Sequence, residues 1–184
     1  MKKALLSFLI LSLLASSSFA IGPVHIGGRY GRVTFMYSFE QTEDYFKHKG
    51  SGYSFFLSYQ PPGYPLSIKG EYASKYWKNE DTPADSSIDY TLGLYALYVL
   101  QPKPSPVGAF LGAGVARHQI KWGPLILPTD KTELKGKLGI DFKGGIQVTY
   151  GPVGIFFEGE YNIVFQVKQE PVHSQLGFYI GGFI

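Results

Sequence analysis

Residues 88–101 read IDYTLGLYALYVLQ. Ile88, Tyr90, Leu92, Leu94, Ala96, Tyr98 and Leu100 fall on one side of an extended chain, and Asp89, Thr91, Gly93, Tyr95, Leu97 and Val99 on the other. Successive side chains of a strand point to opposite faces, so this period-two pattern predicts a strand with one apolar face and one more polar face. The run is long enough to cross a bilayer when tilted, for which about 9–11 residues suffice.

The same period recurs on both sides of this segment. Tyr53, Phe55, Leu57 and Tyr59 alternate in 51–60, and Leu66, Ile68, Gly70, Tyr72 and Tyr76 in 66–78. Val107, Ala109, Leu111, Ala113 and Val115 are in phase in 107–122, although the pattern blurs beyond Arg117. Leu138, Ile140, Phe142, Ile146, Val148 and Tyr150 alternate in 135–150, and Val153, Ile155, Phe157, Tyr161, Ile163 and Phe165 in 153–168. A last strand is expected over 174–184. In the first strand, 24–39, Val24, Ile26, Gly28 and Tyr30 run in one phase and Val33, Phe35, Tyr37 and Phe39 in the other. A bulge at Gly31–Arg32 would reconcile the halves.

The connections alternate too. Polar stretches (41–50, QTEDYFKHKG; 79–87, NEDTPADSS; 123–134; 169–173) take turns with tight proline- and glycine-rich ones (61–65, PPGYP; 102–106, PKPSP; 151–152, GP). Prolines of this kind do not fit a central ladder. Eight strands with alternating short turns and longer loops describe an all-β, antiparallel up-and-down barrel. A lipocalin shares that topology with its apolar face inside, and three features favour apolar-out. The apolar faces of the third, fourth, sixth and seventh strands carry no charge. The opposite faces carry both signs at mid-strand, at Lys69, Glu71, Asp141, Lys143, Glu158 and Glu160. Tyrosines gather near strand ends, at Tyr59, Tyr64, Tyr72, Tyr76, Tyr90, Tyr98, Tyr150 and Tyr161, as interfacial girdles do.

The N-terminus fits export. Lys2 and Lys3 precede an apolar stretch from Ala4 to Ala15, and Ser18 and Ala20 are small residues at a cleavage position. The expected division is a signal peptide over 1–20 and a barrel domain over 21–184. The chain has no cysteine, which excludes disulfides and thiolate chemistry. Of the formal net charge of +3, Lys2 and Lys3 supply two, so the mature chain is near neutral and nothing in it suggests nucleic acid.

The signal peptide, the eight strands, the turns YQPPGYP, LQPKPSP and YGP, and the final strand QLGFYIGGFI together resemble the small outer-membrane barrels of the OmpA/OmpX/OmpW type. The resemblance covers nearly the whole mature chain and rests on architecture rather than a local motif. It implies residence in the bacterial outer membrane, partnership with outer-membrane lipid and with the barrel assembly machinery, and a monomer. Family members usually end in an aromatic residue; here Phe183 is penultimate and Ile184 last.

An eight-stranded barrel is just wide enough for side chains to fill. The six mid-strand charges, with Arg29 or Arg32 as a further cation, are therefore expected to form an ionic plug inside the lumen, and they are the candidate gate if the barrel conducts. Glu158 and Glu160 share a face, as an acid/base pair would, but no cleft accompanies them. His118, His173 and Ser174 are expected near the outer rim. His173 and Ser174 are adjacent and point to opposite faces, which weakens a catalytic reading. Pro124–Pro128 (PLILP) is an apolar stretch in the third loop, and Gly112-Ala113-Gly114 relieves crowding inside the barrel rather than binding a nucleotide. No cofactor or metal is implied. The expected role is a non-enzymatic structural or surface-contact barrel; the alternatives are a narrow channel for small or hydrophobic solutes and, third, a lipid-modifying enzyme.

Overall fold

The structure, a computed structural model, describes residues 24–38, 45–78, 86–101, 105–121, 136–165 and 172–184. The expected signal peptide, the apolar stretch 124–128 and residues 39–44, 79–85, 122–135 and 166–171 at the long connections lie outside these residues. The described chain is a closed barrel of strands β1 (Val24–Ser38), β2 (Tyr45–Tyr59), β3 (Leu66–Lys78), β4 (Ser86–Leu100), β5 (Val107–Lys121), β6 (Gly136–Tyr150), β7 (Val153–Val164) and β8 (Val172–Phe183). Each strand pairs antiparallel with its sequence neighbours, and β1 pairs with β8 to close the ring. Reciprocal bonds between Ile26 and Ile184, both N···O 2.9 Å, finish the seam.

The tight turns lie at the end that also holds Val24 and Ile184. At two of them glycine takes a backbone that other residues resist: Gly63 at φ 81° and Gly151 at φ 60°. The Tyr64 amide donates to the Pro61 carbonyl at 3.1 Å to close the first turn.

The exterior is apolar. Leu111 is 71% exposed, Ile180 67% and Leu138 66%, and Leu57, Ile68, Leu94, Ile146 and Ile155 stand out from the wall with them. A continuous apolar surface of this extent suits lipid and not water. Exposed Tyr59, Tyr64, Tyr98 and Tyr150 mark the margin toward the turns and Tyr76 the other end, while Tyr30, Tyr53 and Tyr72 stand exposed at mid-strand.

Three expectations are corrected. First, β1 contains no bulge: its register to β2 runs one-to-one through Gly31↔Gly52 and Arg32↔Ser51 to Ser38↔Tyr45. Val33 and Phe35 instead point into the barrel, and Arg32 is exposed outside. Second, β2 begins at Tyr45, so six of the ten residues of the polar run 41–50 are strand. Third, the alternation in β5 does not blur beyond Arg117. His118 and Ile120 face inward, with Arg117 and Lys121 outside. All three have one cause. Toward the loop end the wall leaves the hydrocarbon while the lumen closes on apolar side chains, so the period persists but polarity changes sides.

Candidate functional site

The lumen is filled in three layers. Toward the turns, Phe56, Tyr95, Leu97, Val99, Phe110 and Phe156 form an apolar cluster with Phe183 packed against it. Toward the loop end, Val33, Phe35, Trp77, Ile120 and Tyr179 form a second, in which the rings of Phe35 and Trp77 stack with centroids 3.5 Å apart. Between them lies a charged layer contributed by six of the eight strands, β1 and β3 to β7, with Ser54 of β2 and Gln175 of β8 hydrogen-bonded to it.

Arg29 of β1 sits at its centre. Its guanidinium donates to Glu71, Glu158 and Glu160 together, and its Nε to Ser54 Oγ at 2.9 Å. The same group lies 3.9 Å from the centroid of the Tyr179 ring. Lys143 contacts Glu160 Oε2 at 2.6 Å and Glu71 Oε1 at 3.2 Å, and its ammonium lies over the Tyr95 ring. Lys69 contacts Glu71 Oε2 at 2.9 Å and Glu158 Oε2 at 3.2 Å, over the Phe56 ring. Five of the six charges expected in the lumen network thus join one cluster. Of the two arginines left open, Arg29 belongs to it and Arg32 does not.

Asp141 belongs to a second cluster. His118 places Nδ1 2.9 Å from Asp89 Oδ2 and Nε2 3.3 Å from Asp141 Oδ1. The Tyr95 hydroxyl donates to Asp141 Oδ2 at 2.8 Å, and Gln175 Nε2 to Asp89 Oδ2 at 2.7 Å. Lys75 joins the clusters by donating to Glu160 Oε1 at 2.7 Å and to Asn162 Oδ1 and Gln175 Oε1, both at 2.8 Å. His118 is thus not at the rim: it is wholly buried, held between two aspartates from β4 and β6. The side chain of His173 lies outside the described residues.

Sequence reasoning missed Lys75, Asp89, His118, Asn162 and Gln175 as members of the network. All lie on the inward face of their strands, and that phase was the signal available. Which of them meet depends on register between strands distant in sequence. Glycines make room for the network's tyrosines: a Cβ at Gly93 would run into the Tyr95 ring, and one at Gly177 into the Tyr179 ring. Each ring folds back over the glycine two residues before it.

The ledger of charge is balanced. Among the described residues the interior holds Arg29, Lys69, Lys75, Lys137 and Lys143 against Glu71, Asp89, Asp141, Glu158 and Glu160, with His118 in addition. Opposite charges in contact are what make such burial tolerable. No group of His, Asp and Glu among the described residues is arranged to hold a metal ion. A cavity of about 650 Å³ opens at the turn end between Ser58, Ser67, Gln101 and Thr149, and reaches inward past Phe56 and Phe156 to Lys69 and Glu158.

No model of a known protein family matches the sequence, and no curated protein matches it. Solved structures do. The Neisserial surface protein A (NspA) aligns with TM-score 0.65 at 16% identity, covering 89% of this chain and 97% of that one. Ail, the attachment invasion locus protein of Yersinia pestis, aligns with TM-score 0.50 at 13% identity over 88% and 98%. The outer membrane enzyme PagL aligns with TM-score 0.51 at 13% identity over 87% and 98%. In fold, the chain is a closed eight-stranded β-barrel similar to those of these outer-membrane proteins.

Proposed function

We propose that this chain is a non-enzymatic integral outer-membrane barrel whose lumen is closed, and which serves the envelope through its wall and its loops, as a structural or surface-contact protein. The observation that carries the reading is the layered interior, with an ionic network of cancelling charge held between two apolar layers. A path for a solute would have to separate Arg29 from three carboxylates and displace the Phe35–Trp77 stack. Against an enzyme stands His118, the one histidine within the network, which is committed to Asp89 and Asp141 and shielded from lipid. PagL shares the fold and is an enzyme, so fold alone does not decide the matter. The cavity at the turn end favours the second reading, a narrow channel, because Lys69 and Glu158 of the network are among its lining residues.

Planar-bilayer recording separates the two. The closed barrel should show no steady current, and Glu158→Gln with Glu160→Gln should not create a regular one. Discrete openings in the unaltered protein, changed in size by that double substitution, would establish the channel instead. Comparing lipid A masses from cells with and without the protein tests the enzyme.

A further inference from the structure

Every acid among the described residues is inside the lumen, whereas the exposed charges of the described wall are all basic: Arg32, Lys49, Lys78, Arg117 and Lys121. All five lie toward the loop end. Three of them are gathered on β1–β3. The ladders put Tyr30, Tyr53 and Ser74 in one row, Arg32, Ser51 and Tyr76 in the next, and Thr34 beside Lys49 in the third. The β2–β3 ladder ends at Gly50↔Trp77, and Lys49 and Lys78 are the next residue of each strand, both exposed. Arg32 is the diagonal neighbour of Lys49. Like charges so placed repel, and an anion bridging them converts that repulsion into charge-assisted hydrogen bonds.

The setting identifies the anion. Exposed Tyr76 shares the row of Arg32, two residues from the loop end of β3; a row below, at mid-strand, stand exposed Tyr30 and Tyr53, and beside Arg32 on β8 is Phe178, half exposed on the same wall. A tyrosine near a strand end, as Tyr76 is, marks the boundary between headgroups and acyl chains, and long basic side chains there lift their charges out of hydrocarbon. A soluble anion has no use for the apolar margin, whereas an anionic lipid occupies both parts. We infer that the outward face of β1–β3 binds a phosphorylated lipid headgroup of the outer leaflet, with Arg32, Lys49 and Lys78 on its phosphates, Tyr76 at the start of its chains and Tyr30 and Tyr53 further along them. This rests on the outer-membrane reading above, which puts the loop end in that leaflet. Arg117 and Lys121 on β5 provide the contrast, because their cross-strand neighbours are Leu92, Leu138 and Ile88 rather than other cations.

The test uses the barrel refolded in maltoside micelles, with native mass spectrometry counting retained lipid. Bisphosphorylated lipid A should be retained by the unaltered protein. The Arg32→Gln/Lys49→Gln/Lys78→Gln variant should bind it at least about ten-fold more weakly, since each basic residue near an anionic headgroup contributes several-fold. Fully dephosphorylated lipid A should bind the unaltered protein equally weakly. The Arg117→Gln/Lys121→Gln variant should bind within about two-fold of the unaltered protein, as expected for charges outside the cluster. Inorganic pyrophosphate at the same concentration should not displace the lipid. Unchanged retention by the triple variant, or an equal loss in the β5 variant, would overturn the site; displacement by pyrophosphate would make it a free-phosphate site and overturn the lipid assignment. A heat-dependent gel shift on each sample reports the barrel separately, so loss of the site is distinguishable from loss of the fold.

Discussion

Arg29 shows most directly how a single side chain organises this interior. A guanidinium presents several donors in a rigid fork, and here they reach three carboxylates from β3 and β7 while its plane covers the Tyr179 ring. Lysine offers neither the fork nor the stacking. Replacing Arg29 by Met should leave Glu71, Glu158 and Glu160 crowded in a dry space with Lys69, Lys75 and Lys143 alone to balance them. The expected cost is about 3–5 kcal/mol, the usual penalty for removing one partner from a buried ionic group, read as a lower urea midpoint for the barrel in micelles. Lys121→Met, on the exposed wall, should fall within about 0.5 kcal/mol of the unaltered protein. Equal midpoints for the two variants would show that the network contributes nothing to stability.

The strands were largely legible because lipid outside and charge inside impose opposite demands on alternate residues. β3 and β4 read correctly in phase from Leu66 to Lys78 and from Ile88 to Leu100. The failures cluster at the loop end. In β1, apolar Val33 and Phe35 looked like the lipid face continued after a slip, because nothing local distinguishes an apolar residue in a lumen plug from one in lipid. In β2, 45–50 looked like loop because a strand above the hydrocarbon needs no apolar face. A cysteine-free chain makes β1 easy to probe. A fluorophore attached to cysteine at Tyr30 should be quenched by nitroxides on lipid chains, and one at Val33 should be protected. The reverse at Val33 would restore the bulge. The six charges were placed on the inner face from phase alone, but their partners were not legible: Arg29 meets Glu158 across 129 positions of sequence, and only the closed register sets that pairing.

Taken whole, the molecule is a wall turned inside out relative to a soluble protein, with hydrocarbon side chains outside and a satisfied ionic network within. The apolar layers at both ends of the lumen shield that network from water, and the network in turn draws most of the strands to a common centre. This predicts a barrel that withstands detergent and does not exist folded without it. The decisive measurement is the gel mobility of the protein lacking residues 1–20, refolded from urea into detergent micelles and run unboiled and boiled. The account predicts a folded band that migrates differently until heated, and no folded monomer in buffer without detergent. A folded, soluble monomer in plain buffer, with the same mobility before and after boiling, would contradict it.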